Sequence, residues 1–155
     1  MTKNEIKIYL DDVRTPIEKD WIVVRNYEQF IDLVTNTGLD NIAVISLDHD
    51  LGETAMREYF NNVRPHYTLD YSNIHEKTGM DCAKWLVDHY YEKYHIDDDL
   101  ISRNTKRAMG ILFPTVYTHS ANPIGSANIM GYINNFLMNE AQPQTCIRIN
   151  PAHTE

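Results

Sequence analysis

The sequence predicts an α/β fold in three layers, with a mostly parallel five-stranded sheet and helices on both faces. Short apolar runs with strand character alternate along the chain with amphipathic helical stretches. This alternation is typical of parallel strands that are joined by helices. The run Ile42–Leu47 is almost entirely apolar, as expected for a central strand. With 155 residues, the chain is predicted to form a single domain, residues 1–155.

The first part of the chain is predicted to contain three strands and one helix. The strands are residues 6–10, the short run 21–25 and residues 42–47. The helix begins near Asn26, whose side chain is a favourable N-cap, and it ends at Gly38. These elements follow one another in the order strand, strand, helix, strand.

The region of residues 53–77 has no clear period, so we predict an insertion over the strand ends with a short helix at 55–61. A functional lid and a plain surface insertion are equally consistent with this pattern. Residues 97–107 are predicted to be a solvated helix end and loop.

The last part of the chain is predicted to form two helices and two strands. Thr78 and Asp81 have the spacing of a capping box that begins a helix. A fourth strand ends at residues 118–120, and Asn122 with Pro123 begins the next helix. A last strand at 145–149 precedes a polar tail at 150–155.

Charge and composition exclude several kinds of partner. The 22 acidic and 14 basic residues give a net charge of −8, which disfavours binding to the backbone of polymeric nucleic acid. A small anionic ligand remains compatible, because a bound cation reverses the local field. No apolar run reaches membrane-spanning length, so we expect a cytoplasmic protein without a membrane partner, cellular or made by a virus inside a cell.

Acidic side chains follow two of the predicted strands. Asp11 and Asp12 follow the first strand, and Asp48 and Asp50 follow the third. Since the carboxyl ends of parallel strands meet at one edge, we expect these carboxylates to lie close together. Their repulsion requires a cation, a shared proton or an arginine. We therefore predict that Asp11, Asp12 and Asp48 hold a divalent cation, Mg²⁺ or Mn²⁺, although single Asp residues here are also ordinary turn or cap residues.

Two histidines lie beside these strand ends. His119 ends the fourth strand just before a helix N-terminus, where free N–H groups attract phosphate. It is predicted to donate a proton to a leaving oxygen. His49 is open to three interpretations: a metal ligand, a general acid or base, or a histidine bonded to a backbone carbonyl.

Three further residues are candidates for binding phosphate. Ser120 and Asn122 can donate hydrogen bonds to phosphate oxygens, and both are also ordinary capping residues. Arg14 lies three residues after Asp11, so that its guanidinium can reach a phosphate or pair with an acid. The predicted ligand is a small phosphate-bearing molecule such as a nucleotide.

Four segments carry a resemblance to a known family: LDDVRTP at 10–16, SLDHDLG at 46–52, TGMD at 78–81 and HSANPIG at 119–125. Over about residues 6–137 the chain resembles the cyclic-phosphate-processing receiver-like domain, a family of bacteria and their viruses. This resemblance implies a receiver-like, flavodoxin-like fold and action on cyclic or nucleotide phosphates in virus–host conflict. It implicates Asp11, Asp12, Asp48, Asp50, His119 and Ser120, with His49, Arg14 and Asn122 in support.

The chain departs from an ordinary receiver at the last strand. The lysine expected at the end of that strand is missing, and Arg148 and Ile149 stand there instead. This departure favours the processing or capture of a phosphate ligand over phosphosignalling on Asp48.

We therefore expect a metal-dependent phosphoesterase that acts on a cyclic phosphate or cyclic nucleotide. Asp50 or His49 would accept a proton from water, and His119 would protonate the leaving oxygen, while a phosphorylated Asp48 intermediate is a variant of this scheme. Two alternatives stay open at this point. One is a module that sequesters a nucleotide without cleaving it, and the other is a degenerate receiver that docks a protein partner.

Overall fold

The computed structural model describes residues 5–94 and 112–150. Five strands form one all-parallel sheet with the order β2-β1-β3-β4-β5. The strands are β1 (Ile6–Leu10), β2 (Trp21–Val24), β3 (Ile42–Leu47), β4 (Thr115–Thr118) and β5 (Ile147–Arg148). The predicted receiver-like α/β class is confirmed, and β3 is the central strand, as its apolar composition indicates.

Helices lie between these strands, and their ends follow the predicted capping residues. They are α1 (Tyr27–Thr37), α2 (Glu53–Glu58), α3 (Arg64–His66), α4 (Gly79–Lys93) and α5 (Pro123–Asn139). The side chains of Asn26 and Asn122 cap α1 and α5, and Thr78 with Asp81 forms the capping box of α4. Because these caps satisfy free N–H groups at the helix starts, they fix where each helix begins.

One face of the sheet packs against the three long helices. Its strand residues include Ile8, Leu10, Ile45 and Leu47, all fully buried in one core with residues of α1, α4 and α5. The opposite face carries Tyr9 and its neighbours, which do not belong to this core. Within the described residues, the three long helices therefore pack on one face of the sheet. The sequence predicts helices on both faces.

In the insertion, residues 53–77, the helical part begins earlier and ends later than the predicted helix at 55–61. α2 starts at Glu53, and a π-helical turn at Tyr59–Val63 connects it to α3. A 3₁₀ turn at Tyr71–Asn73 then leads toward α4. The lack of a clear sequence period reflects this change of helix type within fourteen residues, because each type has its own spacing.

Two buried or half-buried glutamates hold the insertion together. Glu58 accepts hydrogen bonds from the N–H of Asp70 (2.9 Å) and the amides of Asn62 (2.7 Å) and Asn73 (2.9 Å). Glu76 accepts hydrogen bonds from Thr54 and from the N–H of Ala55. These contacts fold the insertion back on itself.

The predicted loop at 97–107 and residues 151–155 of the predicted tail lie outside the described residues. β5 is shorter than the predicted strand at 145–149. Within residues 5–94 and 112–150, no helix has both the length and the apolar character needed to cross a membrane.

Candidate functional site

The carboxyl ends of β1, β3 and β4 bring predicted site residues together. Asp11, Asp48 and His119 follow these strands, and one ligand atom from each lies within 4.8 Å of the others. Backbone bonds continue the parallel pairing to this point: the N–H of Asp48 donates to Leu10 (2.9 Å), and that of His119 donates to Leu47 (3.0 Å). The three side chains form a buried group that could bind a metal ion.

Asp11 is fully buried and accepts four hydrogen bonds. Oδ1 accepts from the backbone N–H groups of Val13 (3.0 Å) and Arg14 (2.7 Å). Oδ2 accepts from Nε of Arg14 (2.8 Å) and Nε2 of His119 (3.1 Å). Burial alone would raise the pKa of Asp11, but the bonds from His119, Arg14 and Val13 lower it to about 2. Asp11 is therefore a carboxylate whose two oxygens are already engaged.

His119 is fully buried behind Asp11. Its Nδ1 lies 2.7 Å from Oγ of Ser46, and its ring stacks on Tyr9 with centroids 4.1 Å apart. Burial lowers the pKa of His119 and so favours the neutral ring, although the bond to Asp11 opposes this effect. Because the Asp11 carboxylate can only accept, Nε2 carries the proton and Nδ1 accepts from the Ser46 hydroxyl. We call Asp11 and His119 the inner pair.

His49 and Asp50 form a second pair, which we call the outer pair. Nδ1 of His49 lies 2.7 Å from Oδ1 of Asp50, and Nε2 lies 2.9 Å from the hydroxyl of Tyr71. That hydroxyl accepts a hydrogen bond from Asn128 (3.1 Å), so we assign its own proton to the bond with Nε2. His49 then donates from Nδ1 to Asp50, whose carboxylate also accepts from the amide of Asn122 (3.3 Å).

Two glycines make room for the outer pair. A Cβ atom on Gly125 would lie 2.3 Å from Cγ of His49, and one on Gly79 would lie 1.9 Å from the carbonyl oxygen of Asp48. The N–H of Gly79 also donates to the carbonyl of His49 (2.8 Å). The starts of α4 and α5 therefore approach the strand end closely and hold the His49 ring in place.

A pocket of about 210 Å³ opens at this edge of the sheet, and we call it the acid pocket. It is lined by Asp12, Val13, Arg14, Asp48, Asp50, Met56, Tyr59, Ser120 and Ala121. Five of the predicted site residues line it, namely Asp12, Arg14, Asp48, Asp50 and Ser120. The remaining four, Asp11, His49, His119 and Asn122, are fully buried and are not part of its lining.

Negative charge exceeds positive charge around the acid pocket. Burial and the charge of Asp11 raise the pKa of Asp48 to about 7, although Arg14 opposes this effect from 3.5 Å. Burial and Asp11 also raise the pKa of Asp12. Since Arg14 alone is basic among the lining residues, its charge does not offset those of three carboxylates and the neighbouring Asp11.

Residues 6–135 match the family model of the cyclic-phosphate processing receiver domain. The chain belongs to this family. All four segments that carry the resemblance lie within the matched range. Family membership indicates a role in cyclic-phosphate processing. No curated protein and no solved structure gives a significant match to the chain.

In this receiver domain, the basic side chain beside Asp48 is that of Arg14, whose Nη2 lies 3.5 Å from Oδ2 of Asp48. Arg148 instead donates to the carbonyls of Ser120 (Nη2 at 3.0 Å) and Ala121 (3.3 Å) and so holds the loop after β4. Arg14 reaches the site from the loop after β1, where it donates to Asp11 and lies near Asp48.

Several residues of this receiver domain were not predicted from the sequence. Arg25 donates to the carbonyls of Asp11 (3.1 Å) and Arg14 (2.6 Å) and to Oγ1 of Thr15 (2.7 Å), and thereby fixes the loop that carries Arg14. Ser46, Tyr71, Met56 and Tyr59 were missed as well. The aromatic residues of the insertion were the only sequence signal, and they gave no indication of which strand end they approach.

Two larger grooves, of about 310 and 540 Å³, lie elsewhere along Tyr71, Met80 and Lys84. None of the predicted site residues lines either groove. The smaller acid pocket is the better candidate site, because it joins the polar ends of three strands.

Proposed function

We propose that this receiver domain is a metal-dependent phosphoesterase that hydrolyses a cyclic phosphate or cyclic nucleotide in the cytoplasm, in the virus–host conflict that the resemblance implies. The observation that carries the proposal is the charge of the acid pocket. Three carboxylates line it with one arginine, and Asp11 lies just behind them. An anionic phosphate is repelled by this arrangement unless a cation neutralises it. A phosphate-processing site of this composition therefore calls for a metal ion.

The residues present fit such an ion. Asp48 and Asp12 offer the carboxylate oxygens that Mg²⁺ and Mn²⁺ prefer. Asp11, the third predicted ligand, would first have to give up one of its four hydrogen bonds. The raised pKa of Asp48 is compatible with this fit, because burial and then the charge of Asp11 disfavour its ionised form and a bound cation would favour it. His119 is a weaker donor, since both ring nitrogens are hydrogen-bonded. When bound, the cation would neutralise phosphate charge and lower the pKa of a water molecule.

The remaining residues bind the phosphate and handle protons. Arg14 and Ser120 line the pocket and can donate hydrogen bonds to phosphate oxygens. Asp50, oriented by His49 and Asn122, would accept a proton as the oxygen of water bonds to phosphorus. One ester P–O bond of the ring then breaks, and the leaving oxygen takes up a proton to give a phosphate monoester.

His119 is the proposed donor of that last proton, but its position also favours a second candidate function. The proton on Nε2 is bonded to Asp11, and His119 does not line the acid pocket. Proton donation would therefore require this bond to break and the ring to bind a second proton first, because a neutral imidazole that lost its only N–H proton would become an imidazolate. A domain that keeps the bond would bind the ligand without cleaving it, which is the sequestering alternative.

Incubation of the purified protein with adenosine 2′,3′-cyclic phosphate and adenosine 3′,5′-cyclic phosphate, with Mg²⁺ or Mn²⁺, tests the proposal. We expect a phosphate monoester product, loss of turnover in EDTA, and a decrease of about hundredfold in kcat for Asp48→Asn. Recovery of intact ligand from the denatured complex would favour sequestration. Phosphorylation of Asp48 by a small phosphoryl donor, without turnover of either nucleotide, would favour the degenerate receiver.

A further inference from the structure

We infer that Tyr59 and Met56 bind the base of a nucleotide substrate, so that the domain selects cyclic nucleotides over cyclic phosphates without a base. This inference rests on the proposed function and deepens it. The two residues lie in the insertion, and both line the acid pocket together with Asp48 and Asp50.

The acid pocket is too small to enclose a whole nucleotide. Its volume of about 210 Å³ is below the range of about 300–1,000 Å³ that is typical of pockets enclosing a whole organic ligand. A phosphate that reaches Arg14 and Asp48 would fill most of this space together with its sugar. A base attached to the sugar would then lie at the rim.

The rim of the acid pocket is apolar on one side. On the side of the insertion the lining changes from carboxylates to Met56, which is 38% exposed, and the half-buried ring of Tyr59. These two side chains therefore present the apolar part of a lining that is otherwise mostly polar. A tyrosine ring offers a face for stacking, and a methionine thioether adapts to an aromatic ring beside it.

The backbone at Tyr59 supports the same assignment. Tyr59 is the first residue of the π-helical turn Tyr59–Val63, and such turns are rare and frequent at functional sites. The ring of Phe60 packs edge-to-face against Tyr59 with centroids 5.2 Å apart. Glu58, the preceding residue, is anchored by three hydrogen bonds. The Tyr59 ring is therefore held at the pocket before a ligand arrives.

The chemistry indicates a class of ligand rather than one particular base. Every nucleobase has a π face, so stacking on an aromatic ring tolerates different bases. The domain should therefore accept cyclic phosphates of several nucleosides, and it should distinguish them from the same cyclic phosphate on a sugar that lacks a base.

The test compares adenosine 2′,3′-cyclic phosphate with 1-O-methylribose 2′,3′-cyclic phosphate, which keeps the sugar and the ring phosphate and removes the base. For Tyr59→Ala we expect KM for the adenosine compound to rise about tenfold with kcat nearly unchanged, since the base stacks in both ground and transition states. Tyr59→Phe should retain the wild-type KM. Tyr67→Ala is the matched control, because Tyr67 is an exposed aromatic residue of the same insertion and lies outside the pocket lining.

The two substrates separate failure of the inference from failure of the proposed function. Equal KM values of the wild type for both compounds, or an equal effect of Tyr59→Ala on both, would overturn the role of Tyr59 while leaving the phosphoesterase in place. Absence of turnover and of binding in the wild type for both compounds and for adenosine 3′,5′-cyclic phosphate would overturn the proposed function, and the inference with it.

Discussion

The inner and outer pairs each join a buried histidine to an aspartate at a strand end, yet they face different surroundings. The histidine of the inner pair, His119, is held by Ser46 within the sheet, and Asp11 does not line the acid pocket. The histidine of the outer pair, His49, is held by Tyr71 of the insertion, and Asp50 does line the pocket.

This difference separates an anchor from a reacting group. All the oxygen atoms of Asp11 are engaged by the backbone, Arg14 and His119, so the inner pair fixes the geometry around the pocket. Asp50 is oriented by His49 and Asn122 but still faces the pocket. Mutation of Asp11 should therefore lower stability, whereas mutation of Asp50 should lower turnover with little effect on stability.

The largest expected effect on stability is that of Asp11→Asn. The new side-chain amide has two possible orientations, and in each its NH₂ group replaces an oxygen that accepts two hydrogen bonds. In one orientation the NH₂ group faces Arg14 and His119, and in the other it faces the backbone N–H groups of Val13 and Arg14. Buried donors would then face each other. We expect a loss of about 3 kcal/mol in the free energy of unfolding, measured by urea denaturation. Asp50→Asn is the matched control, because Oδ1 can still accept from His49. A loss of similar size in both variants would contradict the distinction between the pairs.

Gly125→Ala should disturb the outer pair through its histidine. The added Cβ would lie 2.3 Å from the His49 ring, which is held between Asp50 and Tyr71. We expect a destabilisation of about 2 kcal/mol, visible in thermal unfolding. Gly131→Ala lies in the same helix with nothing within 4 Å of the new Cβ, so it should be neutral or stabilise by up to about 1 kcal/mol. Equal behaviour of the two variants would argue against close packing at His49.

Ser46→Ala and Tyr71→Phe remove the hydroxyl group that holds the distal nitrogen of each histidine. Ser46 is fully buried, so its loss leaves Nδ1 of His119 without a partner and should cost about 2 kcal/mol. Tyr71 is 39% exposed, so water can replace its hydroxyl more easily, and the cost should be about 1 kcal/mol. Urea denaturation of the two variants measures both values. A larger loss for Tyr71→Phe would reverse the assignment of the anchor.

The smallest expected effect is the pH dependence of stability that comes from Glu58. This residue anchors the insertion, which also carries Tyr71, the partner of His49. Burial opposes ionisation, but hydrogen bonds from Asp70, Asn62 and Asn73 hold the pKa of Glu58 below its ordinary value. Its contribution is complete above the unfolded-state pKa, about 4.3, and is lost as the pH falls through the lower folded-state pKa.

Comparison of the wild type with Glu58→Gln measures this contribution. The difference between their urea midpoints should be largest near neutral pH and should shrink as the solution is acidified below about pH 4. A difference that stays constant across this range would show that the charge of Glu58 does not stabilise the insertion.

Much of the fold follows from local sequence signals. The strands are apolar runs, and Asn26, Thr78 and Asn122 mark helix starts because their side chains bind free N–H groups. The helix in the insertion was placed too late, at 55–61 instead of from Glu53, because Gly52 provides no side-chain cap and the helix changes type at Tyr59.

That the site residues lie close together was also predictable, because parallel strands bring their carboxyl ends to one edge of the sheet. The sequence did not predict which of these side chains face the pocket. The ring of His119 is held by Ser46, 73 residues away in sequence, and that of His49 is held by Tyr71. Such partners are set by tertiary packing, and no local spacing in the sequence reports them.

The most direct test of the central claim is the turnover of adenosine 2′,3′-cyclic phosphate by Asp50→Asn, measured with Mg²⁺ and alongside urea denaturation. We expect a decrease of about hundredfold in kcat with an unfolding midpoint close to that of the wild type, because the variant keeps its bond to His49 and loses the proton acceptor. A folded Asp50→Asn variant with the kcat of the wild type would contradict the assignment of Asp50 as the acceptor in the acid pocket.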